Sequence, residues 1–166
     1  MKESPDTSSK KSQWVFRAHL VDRVGALTSI ASCFSNEGVS IDTIVGHGVE
    51  EKTSTVGSVV MTFFCDEEKK DVMVRKVKRL SKVMSLEERP YDSKILRKSA
   101  IVLTTRKLVP RDVAGEESFL TTELVGRGED TWTYFLAGSP KELDRILVPL
   151  AWEGVIKDIV YSIIGL

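Results

Sequence analysis

The amino-acid sequence predicts an α+β protein of two tandem β-α-β-β-α-β units, the second with a degenerate first helix. Three observations carry this. Stretches rich in β-branched and aromatic residues recur with period-two alternation. Two amphipathic helical stretches fall between them in residues 14–91. The same order returns in residues 92–166, with a polar segment where a first helix belongs.

In the first unit Trp14–Val21 (WVFRAHLV) alternates loosely and reads as a strand. Between Gly25 and Asn36, the residues Leu27, Ile30, Ala31 and Phe34 recur at helical spacing, and Gly38 marks the stop. Val39–Val45 (VSIDTIV) has period two and forms a second strand, after which Gly46-His47-Gly48 and the polar VEEKTST are expected to turn. Val56–Cys65 (VGSVVMTFFC) is almost continuously apolar, as a central strand buried on both faces would be. A second helix is expected from Asp66. It opens on Asp66, Glu67 and Glu68 and carries Lys69, Arg75, Lys76, Lys78, Arg79 and Lys82 further on, the polarity a helix dipole favours. Met73, Val77, Leu80 and Met84 mark its apolar side, so the basic residues form a solvated face. VMSLEERPY closes the unit as a fourth strand, with Pro90 ending regular pairing. Both helices can then cover one face of a four-stranded antiparallel sheet, the split βαβ or ferredoxin-like unit.

The second unit starts with the strand SAIVLTTRKLV, and the polar PRDVAGEE follows in place of a helix. FLTTELV and TWTYFLA are two strands joined by GRGED as a hairpin loop. Ser139-Pro140-Lys141-Glu142 reads as a capping box with proline at the first helical position. The helix continues through Leu143, Ile146, Leu147 and Leu150, and Pro149 is expected to kink or shorten it. Gly154 precedes a last strand, VIKDIVYSII. These boundaries give a disordered tail over residues 1–13, rich in Ser, Lys and Asp, then domains over 14–91 and 92–166.

Composition excludes several functions. Lys+Arg and Asp+Glu are equal at 24 each, so no global field recruits nucleic acid or an anionic membrane. No apolar run approaches the roughly 20 residues of a membrane span, and the N-terminus lacks the apolar core of a secretory signal. Cys33 and Cys65 have no metal-ligand spacing and read as buried small hydrophobes in a reducing compartment, the cytoplasm. There is no Walker loop, GxSxG, HExxH or strand-linked GxGxxG. His19 reads as a packed strand residue, and His47 sits in a glycine-flanked turn facing solvent or a ligand. Glu116 and Glu117 are neighbours that do not converge on one substrate. With no nucleophile–base pair legible, no catalytic residue, metal or cofactor is expected.

One stretch keeps a binding function open: Asp22-Arg23-Val24-Gly25, at the mouth of the first helix. A helix N-terminus presents free N–H groups and positive partial charge, which suits a carboxylate. Glycine admits unusual dihedrals and close approach, and Asp22 could receive an ammonium group. The residues allow a seat for an α-amino acid or a plain β–α turn.

At these residues the sequence resembles the ACT domain, a regulatory β-α-β-β-α-β module with an (N/D)-x-P-G-x-L turn. More narrowly it resembles the family of regulatory (small) subunits of acetolactate synthase. The counterpart stretch is DRVGALTSIASCFSNEGVSIDTI, and TWTYFLAGSPKELDRILVPLAWEGVIKDIVYSIIGL is similar to that family's second domain. Asp22 stands where the family carries asparagine, Val24 where it carries proline, and Ser40 where it carries a second asparagine. The resemblance implies a non-catalytic protein that dimerises through its ACT domain and modulates a catalytic (large) subunit. It implies a small branched-chain, valine-like effector held between two ACT domains, with Asp22, Arg23, Val24, Gly25 and Ser40 as polar and backbone contacts. Ala26, Leu27 and Ile41 would lie near its side chain. Thiamine diphosphate would belong to the catalytic partner. A stand-alone amino-acid sensor acting on another enzyme or regulator is the alternative.

Overall fold

In the computed structural model, residues 10–21, 25–48, 57–113 and 120–164 are described. The chain divides into two compact units between Pro90 and Tyr91. In the first, β1 (Ser12–Leu20), α1 (Ala26–Asn36), β2 (Ile41–Gly48), β3 (Gly57–Cys65), α2 (Glu67–Lys78) and β4 (Val83–Pro90) form a sheet of order β2-β3-β1-β4. Every neighbouring pair is antiparallel. The second unit repeats this with β5 (Arg97–Thr104), α3 (Pro110–Val113), β6 (Thr121–Arg127), β7 (Trp132–Gly138), α4 (Pro140–Trp152) and β8 (Ile156–Ile164), in the order β6-β7-β5-β8. Both are ferredoxin-like units, and the polar segment of the second leaves only the four-residue α3.

The inner strand β3 is buried along most of its length, as its apolar run requires. Phe16, Phe34 and Phe63 lie on three elements and pack together: Phe16 and Phe34 each meet Phe63 edge to face, at 4.6 and 4.9 Å between ring centroids. This cluster sets the rotation of α1. Ala26, Ile30 and Phe34 are buried, whereas Leu27 and Ala31, expected on the apolar face, are exposed. The expected stripe is therefore turned by about one residue.

Several expected boundaries shift. β1 begins at Ser12, because Ser12 and Gln13 pair with Cys65 and Phe64. Gly46-His47-Gly48 is not a turn but the end of β2, paired with Val59, Ser58 and Gly57; backbone pairing needs no side chain. Helix α2 starts as expected, its Asp66 carboxylate accepting the Lys69 N–H at 2.8 Å. It stops at Lys78, where Arg79 and Leu80 donate to Lys76 and Val77 in tighter i→i+3 bonds. Met84 consequently lies on β4, exposed, and not on the helix.

In the second unit Ser139 caps α4 by accepting the Glu142 N–H. The helix does not end at Pro149. That residue lies exposed in the last turn, and its carbonyl still accepts the Glu153 N–H at 2.9 Å. Gly126 and Arg127 belong to β6, so the hairpin loop is shorter than expected and closes with Gly128 N–H on Thr131 O. Where a first helix is lacking, the 105–109 segment covers the core with Leu108. Side chains hold that segment in place. The Tyr134 hydroxyl accepts the Leu108 N–H, and the Asp112 carboxylate accepts the Val109 N–H while pairing with Arg106 at 2.6 Å. Thr104 Oγ1 donates to Arg106 O at 2.8 Å.

Candidate functional site

β1 runs out at Leu20, and Val21 donates its N–H to Lys82 O at 3.2 Å. Asp22, Arg23 and Val24 lie outside the described residues. Gly25 then precedes α1 with φ 74° and ψ −3°, the left-handed conformation that glycine adopts without a Cβ penalty. Its carbonyl accepts both the N–H and the hydroxyl of Ser29, each at 3.0 Å. Among the described residues no side chain caps the helix, and its first turn holds no acid. The N–H groups there carry positive partial charge with no carboxylate of their own helix beside them.

A cation reinforces that charge. A Cβ built on Gly25 would stand 3.3 Å from Lys82 Nζ, so the ammonium lies at the mouth of α1. Sequence reasoning placed Lys82 on the wet face of α2. Because α2 ends at Lys78, the chain reverses, and Lys82 precedes Val83, whose strand position is opposite Leu20. No periodicity could have revealed this contact, which depends on strand order.

The remaining expected contacts divide into two groups. Ala26 is 1% exposed and its methyl belongs to the core, leaving its backbone N–H for the turn, whereas Leu27 beside it is 46% exposed. Ser40 is exposed, and Ile41 is half-buried against the core. The sheet register separates these groups. Leu20 and Gly48 both stand opposite Gly57, while Trp14 and Ile41 both stand opposite Phe63. Gly25 therefore sits at one end of the sheet, and Ser40 and Ile41 sit at the other. The 11 residues of α1 lie between them, a span of about 16 Å at 1.5 Å per residue. A single first unit does not bring these residues together.

Other reactive groups are accounted for locally. His19 Nε2 lies 3.3 Å from Glu87 Oε1 on the neighbouring strand. Burial pushes the Cys65 thiol up to about 11, with Asp66 adding to the effect, and burial likewise raises half-buried Cys33. Glu116 and Glu117 lie outside the described residues. Among the described residues, no group of three or more His, Cys, Asp or Glu is placed to hold a metal, and no helix is long and apolar enough to cross a membrane.

No protein-family model and no curated protein matches the sequence. Among solved structures, the acetolactate synthase small subunit from Thermotoga maritima is similar with a TM-score of 0.68 at 14% identity, over 93% of this chain and 96% of that one. The ligand-free regulatory subunit of aspartate kinase from Thermus thermophilus gives 0.45 at 13% identity, over 87% and 93%. The ACT domain of GTP pyrophosphokinase from Chlorobium tepidum gives 0.40 at 20% identity, over 48% of this chain and all of that domain. The chain thus has the tandem ferredoxin-like fold of the first of these.

Proposed function

We propose that the chain is a non-catalytic, cytoplasmic regulatory protein that binds a small branched-chain amino acid between two copies of its first unit and thereby modulates an acetolactate synthase catalytic subunit. The observation that supports this best is the separation of Gly25 from Ser40 and Ile41 across one sheet. Strand β2 is an edge. If two copies pair these edges antiparallel about a two-fold axis, Ile41 of one falls level with the Gly48 end of the other. The second copy's Ser40 and Ile41 then approach the Gly25 turn, and the divided site is completed twice.

The two edges of the sheet differ in a way that favours β2. Ile41–Gly48 has no lysine or proline, and Ile44 is 44% exposed. The other edge, β4, carries Glu87, Glu88, Arg89 and Pro90, which discourage strand addition. At the completed site the ligand carboxylate would take the N–H groups of α1 and the Lys82 ammonium. Asp22 would repel that carboxylate more strongly than it attracts the ligand's ammonium, and the ligand's side chain would lie over Leu27 and Ile41. An effector acts through linkage, shifting the complex by no more than its differential affinity for two states. Thiamine diphosphate belongs to the catalytic partner in this reading.

Calorimetry with valine, leucine and isoleucine tests the site. Gly25→Asp should abolish binding, because the added carboxylate competes for the same N–H groups. Asp22→Asn should strengthen it by about 1 kcal/mol, by removing one charge several Å from the ligand carboxylate. Failure of the wild type and of Asp22→Asn to bind any of the three would leave the segment as a turn alone. Addition of the full chain to an acetolactate synthase catalytic subunit should change its rate or its inhibitor sensitivity, and no change at saturating chain would refute that partner.

A further inference from the structure

Between α1 and α2 runs a groove of about 410 Å³, open to solvent and separate from the Gly25 turn in that it follows the flank of α1. Ser29, Ser32, Cys33 and Asn36 form one wall, and Lys76, Arg79 and Leu80 form the other. The volume lies in the range of small-molecule sites, about 300–1,000 Å³. Cys33 and Leu80 supply an apolar floor, since both pack on the core of the first unit. The polar rim is unevenly engaged. Glu37, the carboxylate at this groove, accepts from Lys76 and from Lys69, and those two bonds hold its carboxyl below the ordinary range. Lys76 is thus committed. The side chains of Arg79, Ser32 and Asn36 have no partner among the described residues.

We infer that the α1–α2 groove binds a small carboxylate with a short apolar body, its carboxylate on Arg79 and its chain over Cys33 and Leu80. The chemistry follows from the lining. A guanidinium offers a planar pair of N–H donors that a carboxylate matches with two parallel bonds. Ser32 and Asn36 stand on successive turns of α1, beside a floor that holds methylenes out of water. An ammonium ligand would meet Arg79 and the lysines with like charge. A neutral alcohol would forgo the charge-assisted bond. This site is independent of the amino-acid seat, so either can fail without the other.

Cys33 gives a direct reading of occupancy, because its thiol lines the groove. The full-length chain is treated with iodoacetamide near pH 9, and modification of Cys33 is followed by mass spectrometry with hexanoate, hexylamine or 1-hexanol present. Only the unoccupied fraction reacts, so hexanoate at about nine times its dissociation constant should slow Cys33 modification about tenfold. Hexylamine and 1-hexanol should leave the rate within about twofold, a charge-assisted bond being absent. Arg79→Gln should remove the hexanoate effect, each rate being compared with the same variant's unliganded rate. Arg75→Gln, which alters an exposed cation of the same helix outside the groove, should keep the effect. Equal slowing by all three compounds, no slowing by hexanoate, or retained protection in Arg79→Gln would each overturn the assignment.

Discussion

Two glycines of the first unit share a left-handed backbone and differ in surroundings, which makes them a controlled pair. Gly25 has φ 74°, and its added Cβ would meet Lys82 Nζ at 3.3 Å; Gly38 has φ 66°, with nothing within 4 Å. Alanine in this conformation costs about 1–2 kcal/mol. The loss of unfolded-chain freedom offsets roughly 0.4–1 kcal/mol of that. Each Gly→Ala change should therefore cost the first unit about 1 kcal/mol net. The Lys82 contact adds little to Gly25→Ala, because a flexible ammonium end can move by a few tenths of an ångström. Urea unfolding of the full chain, with pulsed alkylation of buried Cys65 as the reporter of the first unit, should show both midpoints lowered by about 0.3–1 M. The variants should separate in amino-acid binding, which Gly25→Ala weakens and Gly38→Ala leaves alone. No loss of stability in Gly25→Ala would refute the left-handed turn. A loss above about 3 kcal/mol, well beyond the strain figure, would show that Lys82 cannot yield and that the mouth of α1 is already filled.

Phe63→Ala removes the shared ring of the aromatic cluster and should cost about 3–5 kcal/mol by the same Cys65 reporter; a loss under about 1 kcal/mol would contradict the packing. Iodoacetamide near pH 8.5 should modify Cys33 before Cys65, since both thiols are raised but Cys65, at about 11, is also buried; mass spectrometry showing the reverse order would refute this. Arg106 holds the Asp112 carboxyl below its ordinary value, so its contribution is present above the unfolded value, about 4, and fades as pH falls through the folded one. Hydrogen exchange at the Val109 amide should therefore differ between wild type and Asp112→Asn at neutral pH and converge in acid. Ile44→Lys on the β2 edge should shift light scattering toward monomer at tens of micromolar, and a wild type that is monomeric there would remove the shared-site reading altogether.

The features legible in sequence were those carried by local chemistry. Asp66 and Ser139 cap their helices because a carboxylate or hydroxyl three residues before an N–H can reach it with no help from the rest of the fold. The apolar run of β3 announced an inner strand for the same reason. What escaped depends on contacts distant in sequence. The buried face of α1 lies about one residue from the one its periodicity predicts, because Phe34 packs on Phe16 and Phe63, which sit on two other elements. Gly46-His47-Gly48 has turn composition, yet pairing with β3 extends β2 through it. Lys82 reads as one more cation on a basic helix until the strand order places it beside Gly25. The turn motif itself was visible, but the distance from Gly25 to Ser40 is a property of sheet register, which no spacing in a single chain discloses.

The two units cover their sheets by different means, and this sets how each can tolerate change. Helix α1 satisfies its interior backbone groups by its own repeat, so many side chains could be exchanged on its outer face without releasing an N–H or carbonyl. The 105–109 segment depends on particular partners instead: Tyr134 for the Leu108 amide, Asp112 for that of Val109, and Thr104 for the Arg106 carbonyl. Loss of any one frees a backbone group, so sequence drift should be restrained at these three positions. The same dependence makes this segment a place where the second unit can open locally while its sheet stays intact. Thermal fluctuation in the second unit would then concentrate at one corner.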